Sequence, residues 1–253
     1  MCYSNKLNQI GEFFIKSERP LSAYSGLRNI ILIGTLFGFH GLLNRSLLLD
    51  GVSEIFIVTA RITLVTFLIS LYCFKEFYSE LNLSFFFKGC LTGFLAIFIP
   101  GWTFIYALKN ISSGLQSIFI STIPLFTVFW VLLFFKEEKI TRIKLISVLI
   151  GLIGLVILFF SGETGLSKEG DLITGGLLAL VGVQGLALSN ITNKKHLKYI
   201  PGKTYLLTQW LFGAGLSIIL FFTLGGQIEI LSLSESLKLT GLAFIDIFNY
   251  SLF

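Results

Sequence analysis

Apolar residues in this chain come in long, nearly unbroken runs. They do not alternate as in half-buried strands, and they do not recur every third or fourth position as in surface helices. Eight runs can be marked, at 29–48, 54–74, 85–108, 112–135, 140–160, 172–192, 204–224 and 238–253. A helix rises about 1.5 Å per residue, so roughly 20 apolar residues cross a hydrocarbon core about 30 Å thick. The first seven runs meet that length, and the last, of 16 residues, comes close to it. The pattern predicts an all-α polytopic membrane protein. Between the runs lie only 3 to 13 residues, which leaves no room there for a soluble catalytic or nucleic-acid-binding domain.

Composition agrees. Hydrophobic residues make up 54% and charged residues 13% of the 253 positions, against roughly 25% charged in soluble domains. The net charge of +5 is distributed by side. Fourteen Lys and Arg fall in the lead-in and alternate loops (for example Lys16 and Arg19, Lys136 and Lys139, Lys194 and Lys195), against four on the other side (Arg45, Lys109, Lys168 and Lys238). Basic residues collect on the cytoplasmic side of membrane proteins, so the amino terminus is expected to be cytoplasmic and the protein to sit in the cell (inner) membrane. The basic clusters then report topology and not a nucleic-acid footprint. Residues 1–28 lack the apolar core and small-residue cleavage site of a signal peptide. Cys2, Cys73 and Cys90 are too few and too far apart for a metal site or a closed disulfide framework. No cofactor is expected, and the partners expected are the lipid bilayer and a small-molecule solute.

Self-comparison shows a weak repeat. Gly38-Phe39-His40-Gly41-Leu42 recurs as Gly182-Val183-Gln184-Gly185-Leu186, Thr59-Ala60-Arg61 aligns with Thr208-Gln209-Trp210, and GFLAIFI from Gly93 aligns with GLAFIDI from Gly241, at offsets of 144, 149 and 148. Five spans per copy place the copies in opposite orientations, the inverted-repeat design of many transporters. The offset predicts counterparts of the fourth and fifth spans from near 260 to about 308, beyond the last residue of this chain.

The stretch ALKNISSGLQSIFISTIPLFTVFWVLLFFKEEKIT, Ala107 to Thr141, resembles the fourth-span segment of the EamA-type permeases of the drug/metabolite transporter superfamily. Pro124 matches the family's mid-helix proline, and Glu138-Lys139-Ile140-Thr141 matches its closing signature; Glu137 stands where a glycine is usual. The resemblance implies a five-plus-five inverted fold with eight of ten spans in this chain. It divides the chain into a lead-in (1–28), a first repeat (29–160) and an incomplete second repeat (172–253). It also implies a central cavity lined by the first, third, fourth, sixth, eighth and ninth spans. The function implied is a permease moving a small metabolite or drug-like solute by alternating access. The alternative is a non-transporting truncated fragment or membrane interaction protein.

Polar side chains at membrane depth cost a few kcal/mol and mark function or interhelical bonding. His40 and Asn44 share one face of the first span and fit either a solute contact or a helix–helix bond. In the third span, Pro100 lacks the N–H that would meet the Ala96 carbonyl, loosening the helix, while Trp102 and Tyr106 fit a pocket wall or interface anchors. Gln116 and Pro124 in the fourth span and Gln184 and Asn190 in the sixth complete the expected solute path. Pro124 is expected to bend its helix and free the Ile120 carbonyl. Arg61, inside the second span, snorkels outward or pairs with a carboxylate, structural roles set ahead of solute binding. Asp246 is the one carboxylate well inside a run and is the proton-coupling candidate. Glu138 can pair with Arg142 if the helix continues a turn, and His196 lies in a basic loop with no role assigned. Stripes at Gly34, Gly38 and Gly41 and at Gly175, Ala179, Gly182 and Gly185 predict close helix packing. There is no HExxH, GxSxG or Walker pattern and no paired intramembrane aspartate, and nothing in the sequence calls for an enzyme.

Overall fold

Where it is described, each apolar run is mostly helix. The computed structural model describes residues 23–80, 82–134, 142–162, 164–166, 170–197 and 200–251. Helices α1 (Ala23–Leu49) and α2 (Glu54–Glu80) form the first two spans. The third begins as α3 (Leu83–Gly93), passes through a π segment (Phe94–Phe98) and continues as α4 (Ile99–Asn110). The fourth consists of α5 (Ser113–Ser121) and α6 (Ile123–Phe134). Then come α7 (Arg142–Ser161), α8 (Leu172–His196), α9 (Gly202–Thr223) and α10 (Leu233–Ser251). No strand occurs among the described residues. Five stretches, Glu54–Cys73, Leu83–Asn110, Ser113–Phe134, Leu172–His196 and Gly202–Thr223, are long and apolar enough to cross a bilayer. The chain is an all-α polytopic membrane protein.

Polar residues set where helices start. Asn82 caps α3 through the Ser84 N–H (3.0 Å), and Ser112 caps α5 through the Leu115 N–H (3.1 Å). Asp171 caps α8, accepting from the Thr174 hydroxyl and the Ile173 N–H, and the Thr174 bond foremost holds its carboxyl below the usual carboxylate range. At the turn from α1 to α2, Gly51 has φ +92°, a conformation side chains with a Cβ avoid.

The two intramembrane prolines act differently. Without an N–H at Pro100, the ladder widens ahead of it, and the Ile99 N–H reaches back five residues to the Phe94 carbonyl. The loosening expected there is a π turn. At Pro124 the expected bend is instead a break. Helix α5 stops at Ser121, and the Thr122 N–H turns back to the Phe119 and Ile120 carbonyls, so the Ile120 carbonyl is met within the turn and not by a neighbouring helix. Pro124 then lies in the first turn of α6, where a missing N–H costs nothing, and its side chain is exposed.

Helix packing decides which spans meet. Helix α8 lies along α4, α9 lies against α2 and α3, α10 lies against α1 and α2, and α6 lies against α8. Glycines permit the closest contacts. A Cβ at Gly185 would stand 2.6 Å from the Leu95 carbonyl oxygen, and one at Gly182 would stand 2.6 Å from the Thr103 hydroxyl. The stripe on α8 therefore packs as expected. The stripe on α1 does not: Gly34 and Gly38 have nothing within 4 Å, and only Gly41 meets a neighbour, the Ser113 Cβ at 3.6 Å. Gly93, in no stripe, makes the tightest backbone approach between two helices, against Gln209 of α9.

Candidate functional site

One ionic arrangement inside the spans joins three helices. His40 of α1, Arg61 of α2 and Asp246 of α10 meet side by side. Arg61 Nη1 lies 2.6 Å from His40 Nε2, and its Nε lies 3.4 Å from Asp246 Oδ2. Asp246 Oδ1 lies 3.3 Å from the same His40 Nε2. Of the Arg61 side chain only 7% is exposed. Its room comes partly from Gly101 of α4, where an added Cβ would come within 3.6 Å of Arg61 Nη2. Asn44 completes the group, its amide nitrogen 3.2 Å from His40 Nδ1 and 3.0 Å from the His40 carbonyl.

Depth follows from helix rise. Leu49, Glu54 and Leu233 mark one end of the bundle, where Lys238 of α10 pairs with Asp50. Counting from that end, Arg61, His40 and Asp246 lie about 10, 13 and 20 Å down. A bilayer core is roughly 30 Å thick, so the trio sits around mid-depth. Between the two structural roles open to Arg61, the geometry is a pairing with a carboxylate across helices, not a snorkel to the surface.

The other path residues are engaged as follows. Gln116 is buried, its amide donating to the Phe104 carbonyl at 2.6 Å. Gln184 Oε1 accepts from the indole of Trp130 at 2.6 Å, tying α8 to α6. Trp102 is buried, with its indole N–H donating to Ser217 of α9 at 3.1 Å. It also stacks on Tyr106 with ring centres 6.3 Å apart. Tyr106 is half-buried near the C-terminal end of α4, below Lys109, which pairs with Glu54 at 2.8 Å. Asn190 is half-buried on α8. Glu138 lies outside the described residues and Arg142 opens α7 with its side chain outside them, so their pairing is not part of this structure. Among the described residues no three His, Cys, Asp or Glu side chains converge on a metal site. Replacing Ser217 with alanine is expected to leave the Trp102 N–H buried without its acceptor. The cost is about 1–3 kcal/mol, measurable as a lower unfolding midpoint in detergent.

Sequence reading missed a second polar group. His196 is no loop residue. It ends α8, and its Nδ1 lies 3.2 Å from the Tyr205 hydroxyl, which in turn meets Thr92 Oγ1 at 2.5 Å. Gln209 donates to Asn193 Oδ1 at 3.0 Å beside it. Together these bonds tie α3, α8 and α9 at one end of the bundle. The opposite end holds a cleft of about 420 Å³ lined by Arg45, Ser53, Glu54 and Lys109 among others. A threonine, a tyrosine and a loop-like histidine carry no joint signal in sequence, since their contacts cross up to 113 positions.

Comparison with known proteins fits this geometry. A solved crystal structure, described in words only as that of a protein, shares the fold with a TM-score of 0.55 at 19% identity, over 87% of this chain and 78% of that one. Among curated proteins none matches the chain. A family model described as Solute carrier family 35 matches residues 103–253. Another, the EamA-like transporter family, matches residues 24–160, more than half of the 253 positions. Matched over that share of its length, the chain belongs to the EamA-like transporter family and is a multi-pass membrane transporter of the drug/metabolite, solute-carrier type.

Proposed function

We propose that this transporter is a permease that moves a small polar metabolite or drug-like solute by alternating access between two inverted halves. Its amino terminus faces the cytoplasm of the cell (inner) membrane. The observation that carries the reading is the trio of His40, Arg61 and Asp246, which joins the first two spans to the eighth around mid-depth. Charges buried in hydrocarbon are expensive, and they persist where they serve transport or hold moving helices together.

Helix pairing supports two related halves. The contact of α1 with α10 is answered by that of α8 with α4. The contact of α2 with α10 is answered by that of α3 with α9, and α2 with α9 answers itself. Exchanging the halves thus maps these three contacts onto one another, as a two-fold axis in the membrane plane requires. In this reading the bonds among Thr92, Tyr205 and His196 close the cytoplasmic end, and the cleft at Arg45 and Glu54 is the open mouth. Asp246 supplies the carboxylate of the coupling centre.

Solute profiling of cells with and without the protein, followed by uptake of the leading compound into proteoliposomes, tests this. The expected result is a shift in a small polar solute that purified protein then carries. A profile that does not change, with no uptake of any compound tried, counts against the permease.

A further inference from the structure

We propose that His40, rather than Asp246, binds the proton in this coupling centre, and that a proton on its Nε2 exchanges Arg61 for Asp246 as the partner of the ring. This rests on the permease reading above for its meaning in transport, but its chemistry stands on the geometry of one nitrogen.

A guanidinium only donates. Arg61 Nη1 at 2.6 Å therefore needs a bare lone pair on His40 Nε2. A carboxylate only accepts, so Asp246 Oδ1 at 3.3 Å needs an N–H on that same atom. One nitrogen cannot satisfy both, and the presence of its proton selects the partner. Asp246 meanwhile holds Arg61 through its other oxygen, at 3.4 Å from Nε, and is already committed as a counter-ion.

Asn44 is placed to serve either ring state. Its amide nitrogen, 3.2 Å from Nδ1, suits only a bare Nδ1, whereas a neutral ring whose Nε2 is bare for Arg61 carries its proton on Nδ1. Its Oδ1, buried and without a hydrogen-bond partner, is the acceptor that an Nδ1–H requires once the amide turns over. In the charged ring both nitrogens donate, Nδ1 to Asn44 and Nε2 to Asp246. The proton arrives from hydronium, leaving water behind, and adds to a ring lone pair; no other bond changes. The imidazolium then repels Arg61, so α1 tightens onto α10 and loosens from α2. Losing the proton to water reverses the exchange.

The ionisable groups facing His40 are Arg61 from α2 and Asp246 from α10. Helix α5 meets α1 at Gly41, beside His40, through Ser113 and Gln116, neither titratable. The ionisable side chains of α4, Tyr106 and Lys109, are grouped with Glu54 toward the C-terminal end of that helix.

The chain has two histidines, so His196→Gln leaves a single imidazole to observe. Protein carrying ¹⁵N-labelled histidine in lipid nanodiscs is followed by NMR from about pH 5 to pH 8, where histidine ordinarily titrates. The expected result is a ring that passes from one N–H to two on acidification. The transition moves to higher pH in Arg61→Gln and to lower pH in Asp246→Asn, while Arg61→Lys, which keeps the charge, stays near the parent. A ring that holds one state throughout overturns the proposal, as does a transition that neither neutral variant moves. The readout needs no solute. A titrating His40 in a protein that carries nothing sinks the permease reading alone, and solute flux with a silent His40 sinks the proton site alone.

Discussion

Arg61→Gln is expected to cost about 3–5 kcal/mol of folding stability, because it leaves Asp246 in the bundle with no cation at its Oδ2. The guanidinium is also hard to replace in place. It contacts two helices at once and sits in room that Gly101 leaves on a third. Removing the carboxylate as well, in Arg61→Gln/Asp246→Asn, is expected to recover most of the loss, since two neutral amides carry no unpaired charge. Unfolding the purified protein by titrating denaturing detergent into lipid–detergent mixtures measures both. Equal losses in the single and double variants would show that Arg61 acts through packing and not through its charge.

How much of this was legible beforehand depends on the range of each interaction. The helical runs were legible because hydrophobicity over 20 residues is a local property, and helices carry all of their backbone bonds within themselves. Asp246 and Arg61 stood out because a charge in an apolar run is visible at its own position. Their meeting was not, since the sequence left snorkelling, pairing and solute binding open for Arg61 and no alternation of residues marks which helices touch. His40 showed its place beside Asn44, with solute contact and interhelical bonding both open, yet the competition for its Nε2 exists only where α2 and α10 converge. His196 was misplaced for a related reason. Lysines on both sides made its stretch look like a loop, whereas α8 runs on through Lys194 and Lys195 to His196, with its basic residues at the negative end of the helix dipole. Both prolines were found, but whether each gave a π turn or a break depended on what its helix met: the third span is continuous against α8 and α9, while the fourth restarts at Ile123.

Glycine gives the sharpest contrast between pattern and contact, and the second large effect is expected there. Gly93→Leu is expected to cost at least the upper part of the about 1–3 kcal/mol typical of overpacking. Its Cβ alone would stand 2.9 Å from the Gln209 Cα and 3.0 Å from its carbonyl carbon. Backbone atoms cannot rotate away as a side chain end can, and Gln209 is further held by Asn193. Separating α3 from α9 to admit the leucine would also open the neighbouring contacts of Gly89 with Thr208 and of Gly213 with Ile97. The same substitution at Gly38, where a Cβ meets nothing within 4 Å, is expected to be neutral or to stabilise by up to about 1 kcal/mol, because leucine favours helix over glycine. Gly38 lies in a small-residue stripe and Gly93 does not, so sequence spacing alone ranks the two the other way round. Detergent-titrated unfolding of the two variants side by side decides it: a larger loss at Gly38 than at Gly93 would mean that α1 has a close neighbour on that face and that the α3–α9 contact is looser than its geometry.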